Sequence, residues 1–151
     1  MIAKGVAACF AAASLLCTVP ARADTYSDAE RLHRLDIMLM VTGLRCRTTA
    51  DDFQADYAQF TTNHLPELNA AAREMKTELS QQYSRVEAER EFDRIGTSMA
   101  NAYGNGHPWL DCHDLKQVTQ DLATAVGREP LQAAADELLE RDGGSYAYAR
   151  R

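Results

Sequence analysis

From Asp24 onward the chain holds only six Val or Ile residues, while Ala, Leu, Glu, Gln and Arg dominate it. Strands draw on β-branched side chains and helices on the straight-chain ones, so sheet material is scarce and helix formers are plentiful. No alternating apolar run is long enough for a sheet, and no repeat of fixed period runs along the chain. The expectation is an all-α domain, an irregular bundle of five or six helices.

The first 23 residues, MIAKGVAACFAAASLLCTVPARA, have another character. Lys4 is followed by about 15 small and apolar residues and then by Ala21-Arg22-Ala23, which is the order of a secretory signal peptide and its cleavage site. The apolar run is shorter than the roughly 20 residues of a spanning helix, and Pro20 interrupts it. Leu16 precedes Cys17, where lipid attachment calls for a small residue. The chain therefore reads as exported and cut after Ala23, with no stable membrane insertion. Residues 24–144 would form one helical domain and 145–151 a flexible tail.

Cleavage removes Lys4 and Arg22 and leaves 14 basic against 22 acidic side chains, a net charge of about −8. Such a surface repels phosphate backbones, so no nucleic-acid partner is expected. Four cysteines become two, Cys46 and Cys112, in a compartment that permits oxidation, and one intramolecular disulfide is available. Neither cysteine belongs to a C-x-x-C pair, which leaves a thioredoxin-like site or a multi-cysteine zinc site without support.

Helix starts and stops divide the domain. Ser27 and Glu30 form a capping-box pattern ahead of Leu32, Leu35, Leu39 and Thr42, and LDIMLMV is apolar on nearly every side, so the first helix should be central. Gly43 is a weak point near its end. Thr49 with Asp52 offers the second start, before Phe53, Tyr57, Phe60 and His64. Pro66 demands a break at 62–65, with Thr62 or Asn63 as the new cap. The third helix should turn Leu65, Leu68, Ala72, Met75, Leu79 and Tyr83 inward. Ser84 and Glu87 predict a turn and a fourth helix, with Ala88, Phe92, Ile95, Met99 and Ala102 inward. GNGHP at 104–108 is a loop. Asp111 caps a fifth helix carrying Cys112, Leu115, Thr119, Leu122 and Val126. Pro130 opens a sixth with Leu131, Ala135 and Leu138, which Gly143-Gly144 ends.

His107, Asp111, His113 and Asp114 are the densest group of prospective ligands, four within eight residues. Imidazole and carboxylate together suit zinc or another divalent ion. The same residues also have structural roles: Asp111 is a good cap, Asp114 belongs in a first turn, and His107 and His113 read as exposed. His64 shares a stripe with aromatics and reads as packed against a carbonyl. His33, beside Arg34, reads as a surface residue. Trp109 is expected to pack over the disulfide. No serine stands in G-x-S-x-G, and Asp51-Asp52 reads as a helix start.

Four stretches, MLMVTGLRCR, DFQADYAQF, LNAAAREMK and MANAYGNGHPWLDC, carry a resemblance that covers most of the mature chain. Together they resemble a group of short exported helical proteins of Gram-negative bacteria labelled S-adenosyl-L-homocysteine hydrolase. The resemblance implies a periplasmic location and a hydrolase name, and it carries no catalytic residue to any position here. Gly104-x-Gly106 belongs to no G-x-G-x-x-G, so no dinucleotide or other cofactor is expected, and no resident metal. The leading functional reading is a non-catalytic module that binds a periplasmic protein or small molecule. The alternative is a hydrolase, metal-assisted through His107, Asp111, His113 and Asp114.

Overall fold

Apolar residues that recur on every side of one helix must be covered from every side, and the architecture follows from that requirement. The computed structural model of the protein describes residues 26–139, which form six α-helices and no strand. These are α1 (Asp28–Cys46), α2 (Gln54–Asn63), α3 (Leu65–Ser80), α4 (Arg85–Tyr103), α5 (Cys112–Thr124) and α6 (Arg128–Leu139). Helix α1 touches all five others. Its Leu32, Leu35, Met38 and Leu39 are fully buried, and the Thr42 hydroxyl inside the same core donates to the Met38 carbonyl at 2.7 Å. The expected signal peptide, its cleavage site, the Gly143-Gly144 stop and the tail lie outside the described residues.

Local chemistry sets the helix ends. The Ser27 hydroxyl accepts from the Glu30 amide, and Ser84 and Glu87 complete a reciprocal capping box that separates α4 from α3. His64 stands alone between α2 and α3, with Pro66 in the first turn of α3. Asn63 does not cap that helix; its amide donates to the Ala123 carbonyl at 2.7 Å and ties the break to the end of α5. The second helix begins later than Thr49. Thr49 instead closes a turn on the Cys46 carbonyl, and the Asp52 carboxylate accepts from the Gln54 amide. Helix α1 runs through Gly43 without a break, because the missing side chain lets the fully buried Phe53 ring lie against the backbone. A Cβ there would stand 3.2 Å from Phe53 Cε2.

Several inward assignments need correction. On α3 the core face is Leu68, Ala71 and Met75, while Leu65, the first residue of the helix, is 55% exposed and Tyr83, past its end at Ser80, is 42% exposed. Helix α5 stops at Thr124, so Val126 falls in the connection before Gly127 and is 89% exposed. His33 and Arg34 are not surface residues. The His33 ring stacks on Phe92 of α4 at 4.9 Å, and Arg34 is buried with its guanidinium 4.2 Å above the Tyr26 ring. Where neighbouring helices cover α1, its charged and polar side chains lie under them as well, Arg34 with 4% of its surface exposed.

A disulfide between Cys46 and Cys112, with Cα atoms 5.7 Å apart, fastens the last residue of α1 to the first of α5. Among the described residues no helix is long and apolar enough to cross a membrane.

Candidate functional site

The segment from Tyr103 to Gln117 holds the prospective ligands. Helix α4 ends at Tyr103 because Gly104 and Gly106 follow: the Gly106 amide donates back to the Tyr103 carbonyl at 2.9 Å, and Gly106 adopts φ +103°. That left-handed turn suits glycine and reverses the chain, which then carries His107 into the interior. His107 is 9% exposed, not a surface residue. Its ring stacks on Tyr103 at 6.0 Å and meets Trp109 edge-on at 4.4 Å. The Leu110 amide donates to its Nδ1 at 3.3 Å, so the imidazole acts as the hub of the loop. Trp109, expected over the disulfide, has this edge contact with His107 as its ring partner.

Asp111 and Asp114 each accept from the other's backbone amide. The Asp111 carboxylate accepts from the Asp114 amide at 3.0 Å, and the Asp114 carboxylate accepts from the Asp111 amide at 3.4 Å. This closes a capping box over the positive end of the α5 dipole.

His113 turns away from these carboxylates. Its side chain is 61% exposed and lies across the disulfide from the α1–α2 turn, where Nδ1 meets Asp51 Oδ1 at 3.3 Å. The Gln117 amide nitrogen lies 2.9 Å from Nε2, one helical turn along α5. An Nδ1–H tautomer satisfies both contacts, donating to Asp51 and accepting from Gln117. The four predicted ligands thus separate into a buried hub, a capping pair and an exposed imidazole. Among the described residues no group of three or more His, Cys, Asp or Glu side chains is placed to hold a metal ion.

His64 is fully enclosed and its Nε2 lies 2.8 Å from the Leu122 carbonyl, beside the Phe60 ring at 5.3 Å, which matches its reading as a packed residue. Together with Asn63 it binds the last carbonyls of α5, whose orphan acceptors need donors.

Two polar contacts had not been anticipated. Asp51 is the partner of His113, although sequence suggested only a helix start. Asp36 of α1 accepts a hydrogen bond from the Tyr57 hydroxyl of α2 at 2.9 Å. Burial pushes the Asp36 carboxyl above its ordinary range, and the Tyr57 bond partly opposes that shift. Burial and the neighbouring Asp36 charge raise the Tyr57 phenol. The available signal was a lone carboxylate inside the apolar run LDIMLMV, since such a group needs a donor.

Compared with family models, curated proteins and solved structures, the chain matches none of them.

Proposed function

We propose that this chain is an exported periplasmic protein that acts by binding, not by catalysis. One observation carries the reading: the groups best suited to chemistry are occupied in holding the loop and helix α5 in place. His107 collects a backbone amide in the interior, and Asp111 and Asp114 close the cap of α5. A disulfide between the two cysteines that remain after cleavage accords with an oxidising compartment.

One arrangement favours the hydrolase alternative. His113 is exposed and its Nδ1 is held by Asp51, which is how a general base is oriented. The His113–Asp51 dyad is exposed and supplies an oriented base, one component of a hydrolytic mechanism, so it ranks second.

The test expresses the full chain in a Gram-negative host with a photo-crosslinking residue at Met40 or Leu44, both exposed on α1. One recurrent periplasmic adduct that is lost when the site is moved to the buried face supports the binding reading. Turnover of S-adenosyl-L-homocysteine by purified protein, abolished by His113→Ala, would replace it with the hydrolase.

A further inference from the structure

The two sulfurs of the disulfide stand in unequal surroundings. Cys46 is 1% exposed and belongs to the hydrophobic core with Phe53, Leu39 and Leu115. Cys112 is only half-buried at the rim of that core, and it is the first residue of α5, directly after the Asp111 cap. Thiol–disulfide exchange needs an incoming thiolate to approach one sulfur along the S–S axis, so access decides which sulfur is attacked. Thiolate stability differs as well. The first turn of a helix favours a thiolate at Cys112, which suits it to attack in the oxidising direction, whereas in reduction the apolar core makes Cys46 the poorer leaving group and access alone selects Cys112.

We propose that Cys112 is the exchange site of this protein, the sulfur that forms a mixed disulfide with an external thiol, while Cys46 is the resolving partner. In reduction, an external thiolate bonds to Cys112 Sγ as the Cys46–Cys112 bond breaks, and the electron pair leaves on Cys46 Sγ. The second thiolate of a dithiol reductant then attacks its own sulfur in the mixed disulfide and releases Cys112. Two electrons and two protons pass from the dithiol to the two cysteines, and the reductant becomes a disulfide. In oxidation the steps reverse: the Cys112 thiolate attacks the disulfide of a dithiol-class oxidant, and Cys46 displaces that oxidant from Cys112. The first reductive step sets a thiolate free inside an apolar core next to the mixed disulfide it can re-attack. Monothiols should therefore yield little net reduction, while dithiols complete it.

The experiment begins with native oxidised protein. It is incubated with reduced glutathione or with dithiothreitol, quenched with acid, blocked with N-ethylmaleimide and mapped by peptide mass spectrometry. The expected result is glutathione on Cys112 and maleimide on Cys46, with the Cys112 adduct at least about ten-fold in excess. Glutathione mainly on Cys46, or equally on both, would overturn the proposal. A second measurement needs no reductant and controls for folding directly. The Cys46→Ala and Cys112→Ala variants, each checked for helicity by circular dichroism, are alkylated in buffer and in urea. Cys112 should react at least about ten-fold faster than Cys46 in buffer, and the two rates should converge in urea. Equal rates in buffer for helical variants would sink the assignment.

Discussion

The Tyr57 hydroxyl donates to Asp36 Oδ1 at 2.9 Å and joins α2 to the central helix, one turn along α1 from the His33 ring that stacks on Phe92 of α4. It is the polar contact at which α1 meets its neighbour through a half-buried carboxylate. Tyr57→Phe removes the donor and leaves that carboxylate under-solvated, so the expected loss is about 1–3 kcal/mol at neutral pH. Asp36→Asn keeps an acceptor for Tyr57 while removing the charge, and it should cost less. Folded Asp36 has a raised pKa, so its neutral form suits the folded state better and its ionisation removes stability as pH rises through the carboxylate range. The penalty of Tyr57→Phe should accordingly shrink toward acid pH. Urea midpoints of the two variants between pH 4 and pH 7 check both statements.

His33 predicts a pH dependence of the other sign. Burial against α4 lowers its pKa, so the folded state prefers the neutral imidazole. The stability it contributes is complete above the ordinary histidine value and falls as pH drops below it. His33→Phe keeps a ring against Phe92 and removes the titration. Its urea midpoint should stay flatter than that of the natural protein from pH 7 to pH 5; parallel curves would remove His33 from the account.

The disulfide closes a loop of 66 positions, for which chain entropy gives roughly 4 kcal/mol. That is a large part of the stability of a domain this size. Reduction should lower the melting temperature by about 10–20 °C. Cys46→Ala should destabilise without abolishing helicity, because the apolar faces of the six helices remain. Calorimetry with and without dithiothreitol measures the first effect, and far-ultraviolet circular dichroism the second.

Gly106→Ala should destabilise by about 1–2 kcal/mol, because φ +103° is a backbone state that L side chains rarely adopt. The added Cβ would also stand 3.2 Å from Arg45 Nε. The effect should centre on the loop carrying His107, and hydrogen exchange of the Leu110 amide, which that imidazole accepts, would report it.

Asp111→Ala and His113→Ala separate the capping role from the exposed dyad. Loss of the cap should cost about 1 kcal/mol, since the Asp114 amide loses its acceptor. Removal of His113 should change stability by less than about 0.5 kcal/mol, as exposed pairs contribute little. Thermal melts of the two variants decide this, and a larger cost for His113→Ala would show that the Asp51 contact holds the α1–α2 turn.

Residue pattern alone determined the all-helical class, the central place of α1, the breaks at His64 and Ser84, and the caps of α1, α4 and α5. Those features depend on short-range chemistry: a hydroxyl or carboxylate three residues ahead of its amide, a proline in a first turn, an apolar run without a polar side. With Cys46 and Cys112 the only two cysteines beyond residue 23, their pairing was also legible. Tertiary structure decided what each polar side chain does. Whether His33 is solvent-exposed or pressed on Phe92 depends on where α4 lies, and whether His113 meets Asp114 or Asp51 depends on how the disulfide swings the α1–α2 turn across α5. Four ligand-type residues within eight positions gave no measure of convergence, because His107 enters the core while Asp111 and Asp114 close on each other. Sequence distance is short among them, but side-chain direction is set by the left-handed turn at Gly106 and by the packing of neighbouring helices.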